Sequence, residues 1–393
     1  MKKTFQLLKS RILQALWTKS WFTKTAEEQK AFLLSLPEPN NDMERSYLQY
    51  KCQCYFREPW QIFLMNCVSL PPLVIHSLQF RKRQVISEPH SDAVLLGESL
   101  NNILPQSLCG EFAQISCVAE QRKYRFLSKD DIRFLHGLRK QYPFSFFFRY
   151  ECMRELALYS YLIACHRPKA LISVQQGRFT ASFLSAFCAA RGVEHICIMH
   201  GIQSFDISIS FLHFNRFYVW NDFFKDLFIE LRAANDQFEI EVPLSLRFSQ
   251  SISKLAPVDY TYYLQDQTPP QVQAIIGCLL RLKKAGAKIA VRPHPLHREC
   301  ANPLIKSDCG FIVENPDQVL IEDSILRTKY AISLYSTALM QAYYNGKTAV
   351  IDDICAPKEF EELEKNCYMN RAMPHKTLSE LLREVECDRK ANQ

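Results

Sequence analysis

The sequence lacks the short motifs by which several large enzyme classes bind phosphate. It contains no Gly-x-Gly-x-x-Gly and no Gly-x-x-x-x-Gly-Lys-Ser/Thr pattern, so dinucleotide binding and P-loop chemistry have no support. It also contains no Asp-x-Asp pattern, which argues against an enzyme that holds its substrate through a metal ion bridging a diphosphate. Any phosphate ligand of this chain is therefore expected to be bound without a metal.

The chain also has no long apolar run and no paired cysteine motif. No stretch of 18 consecutive apolar residues is present, which predicts that no segment spans a bilayer. The 15 cysteines are scattered through apolar stretches and no secretory signal precedes them, which predicts reduced thiols in a cytosolic protein. Cys52 and Cys54 form one close pair, and the second pair that a tetrahedral zinc site needs is missing. No metal site is expected.

The net charge of +7 is modest for 393 residues and does not imply a nucleic-acid partner. Its distribution is uneven, because residues 1–26 carry six basic and no acidic side chains, with apolar residues at helical spacing. Two interpretations stay open for this predicted basic amphipathic helix. Residues 1–24 contact an anionic membrane, or the helix packs on its own domain with a solvated basic face. The expected localisation is cytoplasmic, and in the first interpretation peripheral on the inner face of the cytoplasmic membrane.

From about residue 92, short apolar strands alternate with helices, which predicts parallel strands joined by helical crossovers. The alternation pauses at residues 240–257 and then restarts. We therefore predict an α/β fold with two doubly wound, Rossmann-like parallel-sheet domains and a cleft between them. Residues 27–90 are predicted to be irregular, because prolines interrupt their aromatic segments. The predicted divisions are a helix at 1–26, an N-terminal α/β domain at 27–240, a C-terminal α/β domain at 241–375 and a helix or tail at 376–393.

Ligands of open α/β sheets bind beyond the carboxyl ends of the strands, and polar residues follow several predicted strands here. In the stretch VRPHP, Arg292 can form a forked pair with an anion and His294 can donate to one. In the stretch LYST, a strand runs directly into a helix whose first turn contains Ser336 and Thr337, and a helix start attracts phosphate. Each has a structural alternative, in which the arginine pairs with a carboxylate and the serine only caps its helix.

A third stretch, MHG, ends another predicted strand. Gly201 lets the backbone approach a ligand closely, and a neutral imidazole at His200 can take or give a proton near pH 7. A lone His-Gly pair is weak support on its own. All three stretches in this order, on strand ends, are a stronger indication of one site.

Together, MHGIQ at 199–203, VRPHP at 291–295 and ISLYSTALMQAYYNGKTAVI at 332–351 resemble a known group of enzymes. They are similar to bacterial glycosyltransferases of GT-B architecture that build capsules and lipopolysaccharide, especially the sialyltransferase and polysialyltransferase type with its HP and S/T motifs. The resemblance covers about residues 160–355. It implies an acceptor-side first domain and a nucleotide-binding second domain.

The resemblance also assigns roles to residues. His294 would contact the nucleotide of an activated sugar, and Ser336 and Thr337 its phosphate. Arg292 and Gly201 are predicted, from their own chemistry rather than from the resemblance, to complete the donor site. The implied reaction is displacement of a nucleotide, with CMP-sugar as the implied donor, from an anomeric carbon by an acceptor hydroxyl. The implied mechanism is inverting and metal-independent, and the acceptor is a glycan or lipid-linked glycan. No cofactor is expected besides the donor substrate.

The sequence departs from that family at the acidic motif that supplies the catalytic base, where QQG stands at 175–177. A carboxamide cannot accept a proton, so the base lies elsewhere. Glu98, after a predicted strand, and His200 are the candidates, with Glu151 in reserve because a capping role explains it equally well.

Two other functions fit the same pattern. A transferase of polyol phosphate from a CDP-linked donor onto a wall or capsule polymer shares the two-domain shape and the need for phosphate donors. A degenerate member that binds a nucleotide without catalysis would account for QQG where acids are expected.

Overall fold

The computed structural model describes residues 24–97, 103–119, 121, 123–249, 252–306, 309–367 and 372–391. The chain divides into two compact units. Unit 1 comprises residues 1–200 and 205–241, and unit 2 comprises residues 201–204 and 242–393. Most of the predicted basic helix at 1–26, and the candidate base Glu98, lie outside the described residues.

The segment predicted to be irregular is helical instead. Unit 1 begins with three helices, α1 (Ala26–Ser35), α2 (Asp42–Cys54) and α3 (Pro59–Arg81). The prediction was wrong because it treated every proline as a helix breaker. Pro59 occupies the first helical position, where its missing N–H costs nothing. Pro71 and Pro72 lie inside α3, which is held along the next long helix of the unit by packing and hydrogen bonds.

One described helix, α3, bears on the prediction that no segment spans a bilayer, which stays a prediction. An 18-residue window of α3 has a mean hydropathy of 1.4, so by length and composition this helix could cross a membrane. An uninterrupted apolar run is too strict a criterion for such a helix. Polar residues such as Asn66 and His76 interrupt the apolar sequence of α3, and none of those before Arg81 is charged.

Unit 1 contains a six-stranded parallel sheet. Its strands are β1 (Ala93–Leu96), β2 (Ile115–Val118), β3 (Ala170–Ser173), β4 (Glu194–Ile198), β5 (Arg216–Val219) and β6 (Phe238–Ile240). The crossovers contain α4 (Gln106–Glu111), α5 (Lys129–Gln141), α6 (Phe146–His166), α7 (Ala181–Ala189) and α8 (Asp222–Glu230). The strand order is β2-β1-β3-β4-β5-β6. The chain therefore adds β2 on one side of β1 and all later strands on the other side, so the order of addition reverses between β1 and β3. β1 and β3 are buried at all four positions each, as expected for strands covered on both faces.

Unit 2 contains a second six-stranded parallel sheet. Its strands are β7 (Val258–Tyr263), β8 (Ile289–Arg292), β9 (Ile312–Val313), β10 (Thr328–Ser333), β11 (Thr348–Ile351) and β12 (Lys376–Thr377). Its helices are α9 (Pro269–Lys284), α10 (Asn302–Lys306), α11 (Ile321–Arg327), α12 (Thr337–Tyr344), α13 (Pro357–Lys365) and α14 (Leu378–Ala391). The order β12-β11-β10-β7-β8-β9 is the Rossmann order, with its reversal between β7 and β10. The prediction of two doubly wound parallel-sheet domains is confirmed.

Candidate functional site

The carboxyl edge of the unit 2 sheet, where its strands end, collects most of the residues predicted to bind the donor. β7 is paired with β8 on one side and with β10 on the other. Neighbouring strands lie about 4.8 Å apart, so the segments that follow β8 and β10 begin about 10 Å from each other, with the end of β7 between them. His294 follows β8, while Ser336 and Thr337 follow β10. The chain fold therefore brings these three residues to one edge.

The start of α12 follows β10 after only two linking residues. Ser336 is the N-cap residue, with an extended backbone and a hydroxyl oxygen that accepts from the Ala338 amide at 3.2 Å. The capping alternative considered for Ser336 is therefore what the structure shows. It does not remove the binding role, because a serine that accepts from a backbone amide keeps its own O–H as a donor. Thr337 is the first helical residue and adds a second hydroxyl at the positive end of the helix.

The His294 side chain is held in one tautomer. Its Nδ1 atom accepts a hydrogen bond from the Leu296 amide at 3.2 Å, so the proton of the neutral ring is on Nε2. Burial, followed by the neighbouring His297, lowers the pKa of His294 from its ordinary value, with Asp266 acting in the opposite direction. At neutral pH this ring is an uncharged donor through Nε2.

A carboxylate completes the polar groups at this edge. Asp266 lies in the segment after β7 and accepts a short hydrogen bond from the Tyr335 hydroxyl. This bond connects the segment after β7 to the residue just before Ser336. A carboxylate repels phosphate but accepts hydrogen bonds from hydroxyl groups, so Asp266 suits a ribose better than a phosphate.

Arg292 has a different partner from the predicted one. It is buried, and its Nη1 atom donates to Glu314 at 3.0 Å. Arg327, also buried, donates to the other oxygen of Glu314 at 2.7 Å. Arg292 therefore fits the structural alternative, pairing with a carboxylate that is buried rather than at the surface. In this structure it positions the end of β8, in place of the direct phosphate contact predicted from the sequence.

At the carboxyl edge of the unit 1 sheet, the segments after β3 and β4 are joined by a hydrogen bond. The Gln176 Nε2 atom donates to the His200 carbonyl at 3.0 Å. Gln176 is only 5% exposed, and its Oε1 atom has no hydrogen-bond partner among the described residues. The His200 side chain is exposed. Gly201 has φ of 74°, in the left-handed region that favours glycine, so the turn requires this residue type.

A charged cluster, which the sequence did not reveal, lies near this edge. α6 leads into the start of β3, so its first turns are at the carboxyl edge. Arg154 pairs with Glu151 at 2.6 Å and with Glu155 at 2.8 Å, and Glu155 pairs at 2.8 Å with Arg178, in the segment after β3. The i, i+3 and i+4 spacing of the α6 residues was visible in the sequence, but the partner after β3 was not.

Glu151 is the member of this cluster that is suited to acid–base chemistry. Its side chain is 20% exposed, whereas that of Glu155 is 1% exposed. Burial raises the pKa of Glu151 above its ordinary value; Glu155 acts in the same direction, against the attraction of Arg154. A carboxyl group with a raised pKa and a path to solvent is a candidate general base. The capping role considered earlier does not fit, because Glu151 follows the start of α6 by more than one turn.

No protein-family model matches the chain, and no curated protein sequence matches it. Solved structures with a similar fold include S. aureus MnaA with UDP, at 9% identity and a TM-score of 0.43 over 68% of this chain and 79% of that one. UDP-GlcNAc 2-epimerase from Methanocaldococcus jannaschii with UDP-GlcNAc and UDP has 10% identity and a TM-score of 0.43, over 76% and 92%. E. coli heptosyltransferase WaaC with ADP-2-deoxy-2-fluoro heptose has 13% identity and a TM-score of 0.33, over 66% and 88%. At this level of similarity, the ligands and activities of these proteins are not assigned to this chain.

Proposed function

We propose that this protein is a metal-independent glycosyltransferase that uses a nucleotide-activated sugar. The observation that carries the proposal is the placement of His294, Ser336 and Thr337 at the carboxyl edge of a sheet with Rossmann order. Open sheets of this kind bind nucleotides at the reversal of strand order, which here lies between β7 and β10. Ser336 and Thr337 start the helix directly after β10, so a phosphate at that position meets a helix N-terminus.

In this proposal each residue has a separate task. The hydroxyls of Ser336 and Thr337 and the first-turn amides of α12 stabilise the negative charge that develops on the leaving phosphate. His294 donates through Nε2 to the nucleotide, and Asp266 accepts from a ribose hydroxyl. Oriented neutral donors of this kind perform the charge stabilisation that a metal ion performs in other transferases. No cofactor besides the donor substrate is required.

The catalytic base is assigned to the carboxyl edge of unit 1. Glu151 and His200 are the candidates within the described residues, and Glu98 remains a candidate outside them. In the inverting reaction the base removes the proton of the acceptor hydroxyl as that oxygen attacks the anomeric carbon. A CMP-sugar donor, a glycan or lipid-linked glycan acceptor, and a role in capsule or lipopolysaccharide synthesis rest on the resemblance of the three sequence stretches alone.

A thermal-shift panel of CMP, CDP, UDP and GDP in the presence of EDTA tests the proposal. We expect one nucleotide to stabilise the protein, by about 2.7 kcal/mol at 100 times its dissociation constant. The double variant His294→Ala with Ser336→Ala should lose this shift. Ser128→Ala, which removes the N-cap hydroxyl of α5 in unit 1, serves as the matched control and should keep it.

Other outcomes of this experiment, and of activity assays with sugar-nucleotide and CDP-polyol donors, would contradict the proposal. An equal shift for the wild type and the double variant would remove the site assignment. A shift that requires a divalent cation would remove the metal-independent mechanism. Turnover of CDP-glycerol or CDP-ribitol with a polyol-phosphate product would favour the phosphotransferase. Nucleotide binding without donor hydrolysis or transfer would favour the non-catalytic alternative.

A further inference from the structure

Helix α3 has an apolar face that no described part of the chain covers. Residues 59–80 contain no charged side chain. Six large apolar side chains lie on one side of the helix and are exposed by 36% to 71%. We call this side the outer face of α3, and its residues are Phe63, Leu64, Val68, Val74, Ile75 and Leu78. On a 23-residue helix, about 34 Å long, such a face is far larger than the scattered apolar residues of an ordinary protein surface.

The opposite side of α3 packs on α6. Met65, Ser69 and Phe80 are buried. Two polar side chains of α3 bond to α6: the Asn66 Oδ1 atom accepts from the Phe147 amide at 3.1 Å, and the His76 ring is 3.0 Å from the Tyr150 hydroxyl. Asn66, Ser69 and His76 are thus bonded or buried on the protein side, while the large exposed side chains of α3 are apolar, unlike those of an ordinary surface helix. Because one side is bound along α6, a surrounding apolar medium would contact only the other.

The ends of α3 carry the side chains that favour a lipid surface. Arg81, Lys82 and Arg83 follow one another at the C-terminal end, and Arg83 donates to the Lys123 carbonyl at 3.2 Å, which brings a fourth basic residue near. Trp60, near the first turn, is 59% exposed. Basic clusters beside an apolar face are attracted to anionic lipid, and tryptophan is enriched at the headgroup level.

The outer face fits lipid better than it fits another protein. Protein interfaces form about one hydrogen bond per 100–200 Å². The six residues of the outer face are hydrocarbon side chains that offer no donor or acceptor for such bonds, and the exposed thiol of Cys67 on the same side is only a weak donor. Acyl chains require none.

We propose that α3 lies in the plane of an anionic bilayer leaflet, with its outer face at the boundary between headgroups and acyl chains and with Arg81, Lys82 and Arg83 at anionic headgroups. This site is separate from the proposed nucleotide site and does not depend on it. It is also separate from residues 1–24, because every residue that carries it lies in α3 or directly after it.

Sedimentation of the full chain with vesicles of phosphatidylcholine and phosphatidylglycerol tests the proposal. We expect the wild type to bind, and the variant with Phe63→Ser, Val74→Ser and Leu78→Ser to bind at least about tenfold more weakly. Leu320→Ser removes a leucine that is 62% exposed in unit 2 and should change nothing. Replacing Arg81, Lys82 and Arg83 by glutamine should weaken binding at low salt, by about fivefold per side chain, and leave binding to pure phosphatidylcholine unchanged.

A probe on the outer side of the helix gives a reading that does not depend on the folding of a triple variant. Cys67 is exposed in α3, and a polarity-sensitive fluorophore there should shift to the blue when vesicles are added, after the exposed Cys109, Cys117 and Cys387 are replaced by serine. The same fluorophore at Cys387, with Cys67 replaced, should not shift. Wild-type protein that ignores vesicles, or a triple variant that binds them as the wild type does, would overturn the proposal. A triple variant that only changes from oligomer to monomer would assign the face to a second copy of the chain.

Discussion

Replacing Glu314 by glutamine is expected to destabilise unit 2 by about 3 to 5 kcal/mol, the usual cost of breaking a buried ion pair from one side. The Glu314 carboxylate bridges two guanidinium groups, Arg292 at 3.0 Å and Arg327 at 2.7 Å, and all three side chains are at least nine-tenths buried. A glutamine of the same shape has one accepting oxygen and no charge, so two buried cations lose their counter-ion. Urea denaturation of the full chain measures the loss as a lower midpoint for unit 2.

A surface pair in the same unit provides the control for Glu314→Gln. Asp317 pairs with Arg298 at 2.6 Å, and both side chains are more than half exposed. Asp317→Asn should therefore cost no more than about 1 kcal/mol. Equal, small effects of the two substitutions would show that the buried bridge does not hold the end of β8. Arg292 would then have to be considered again as a ligand for phosphate.

The Glu151→Gln variant is expected to transfer sugar about 10² to 10⁴ times more slowly than the wild type, the usual loss when a general base is removed. Burial raises the pKa of the Glu151 carboxyl, and only its ionised form can accept a proton. The wild-type rate should therefore rise with pH through a midpoint above the ordinary range of glutamate, and this limb should be absent from the variant. Initial rates against pH measure both effects, and the nucleotide thermal shift should be unchanged.

Two comparisons make the Glu151 assignment specific. Asp130→Asn changes a carboxylate of unit 1 that pairs with Arg133 at the surface, and it should leave the rate unchanged. His200→Gln removes the other described candidate for the base. Full activity in Glu151→Gln together with a large loss in His200→Gln would assign the base to His200.

The raised pKa of Glu151 also has a consequence for stability. The folded state holds the Glu151 proton more tightly than the unfolded state does. This contribution to stability is complete below the unfolded pKa and is lost as pH rises through the folded one. A carboxyl group whose ionisation destabilises the folded state is typical of a catalytic residue rather than of one that stabilises the fold.

The class of fold could be predicted because the strands are short apolar runs between helices. AVLL at 93–96 and ALIS at 170–173 are buried on both faces, and such runs imply a parallel sheet with helices on each side. The three helices of residues 27–90 could not be predicted in the same way. α3 is apolar on its outer face and is also buried against α6, so it lacks the one-sided periodicity by which amphipathic helices are recognised.

The candidate site could be predicted in part, for a similar reason. His294 and Ser336 follow strands, and the rule that ligands bind beyond strand ends places them without knowledge of tertiary contacts. The partner of Arg292 could not be predicted, because Glu314 is 22 residues further along the chain and follows a strand of only two residues. The Glu155–Arg178 pair could not be predicted for the same reason, because it joins α6 to the segment after β3, and only the folded chain brings these two together.

Amide hydrogen exchange in EDTA, with and without the nucleotide that gives the thermal shift, is the most direct test of a metal-free nucleotide site at the carboxyl edge of unit 2. We expect slower exchange in residues 293–297 and 334–339 when the nucleotide is bound, and no such change in the variant with His294→Ala and Ser336→Ala. Slower exchange confined to other segments, or a change that appears only when a divalent cation is added, would contradict it.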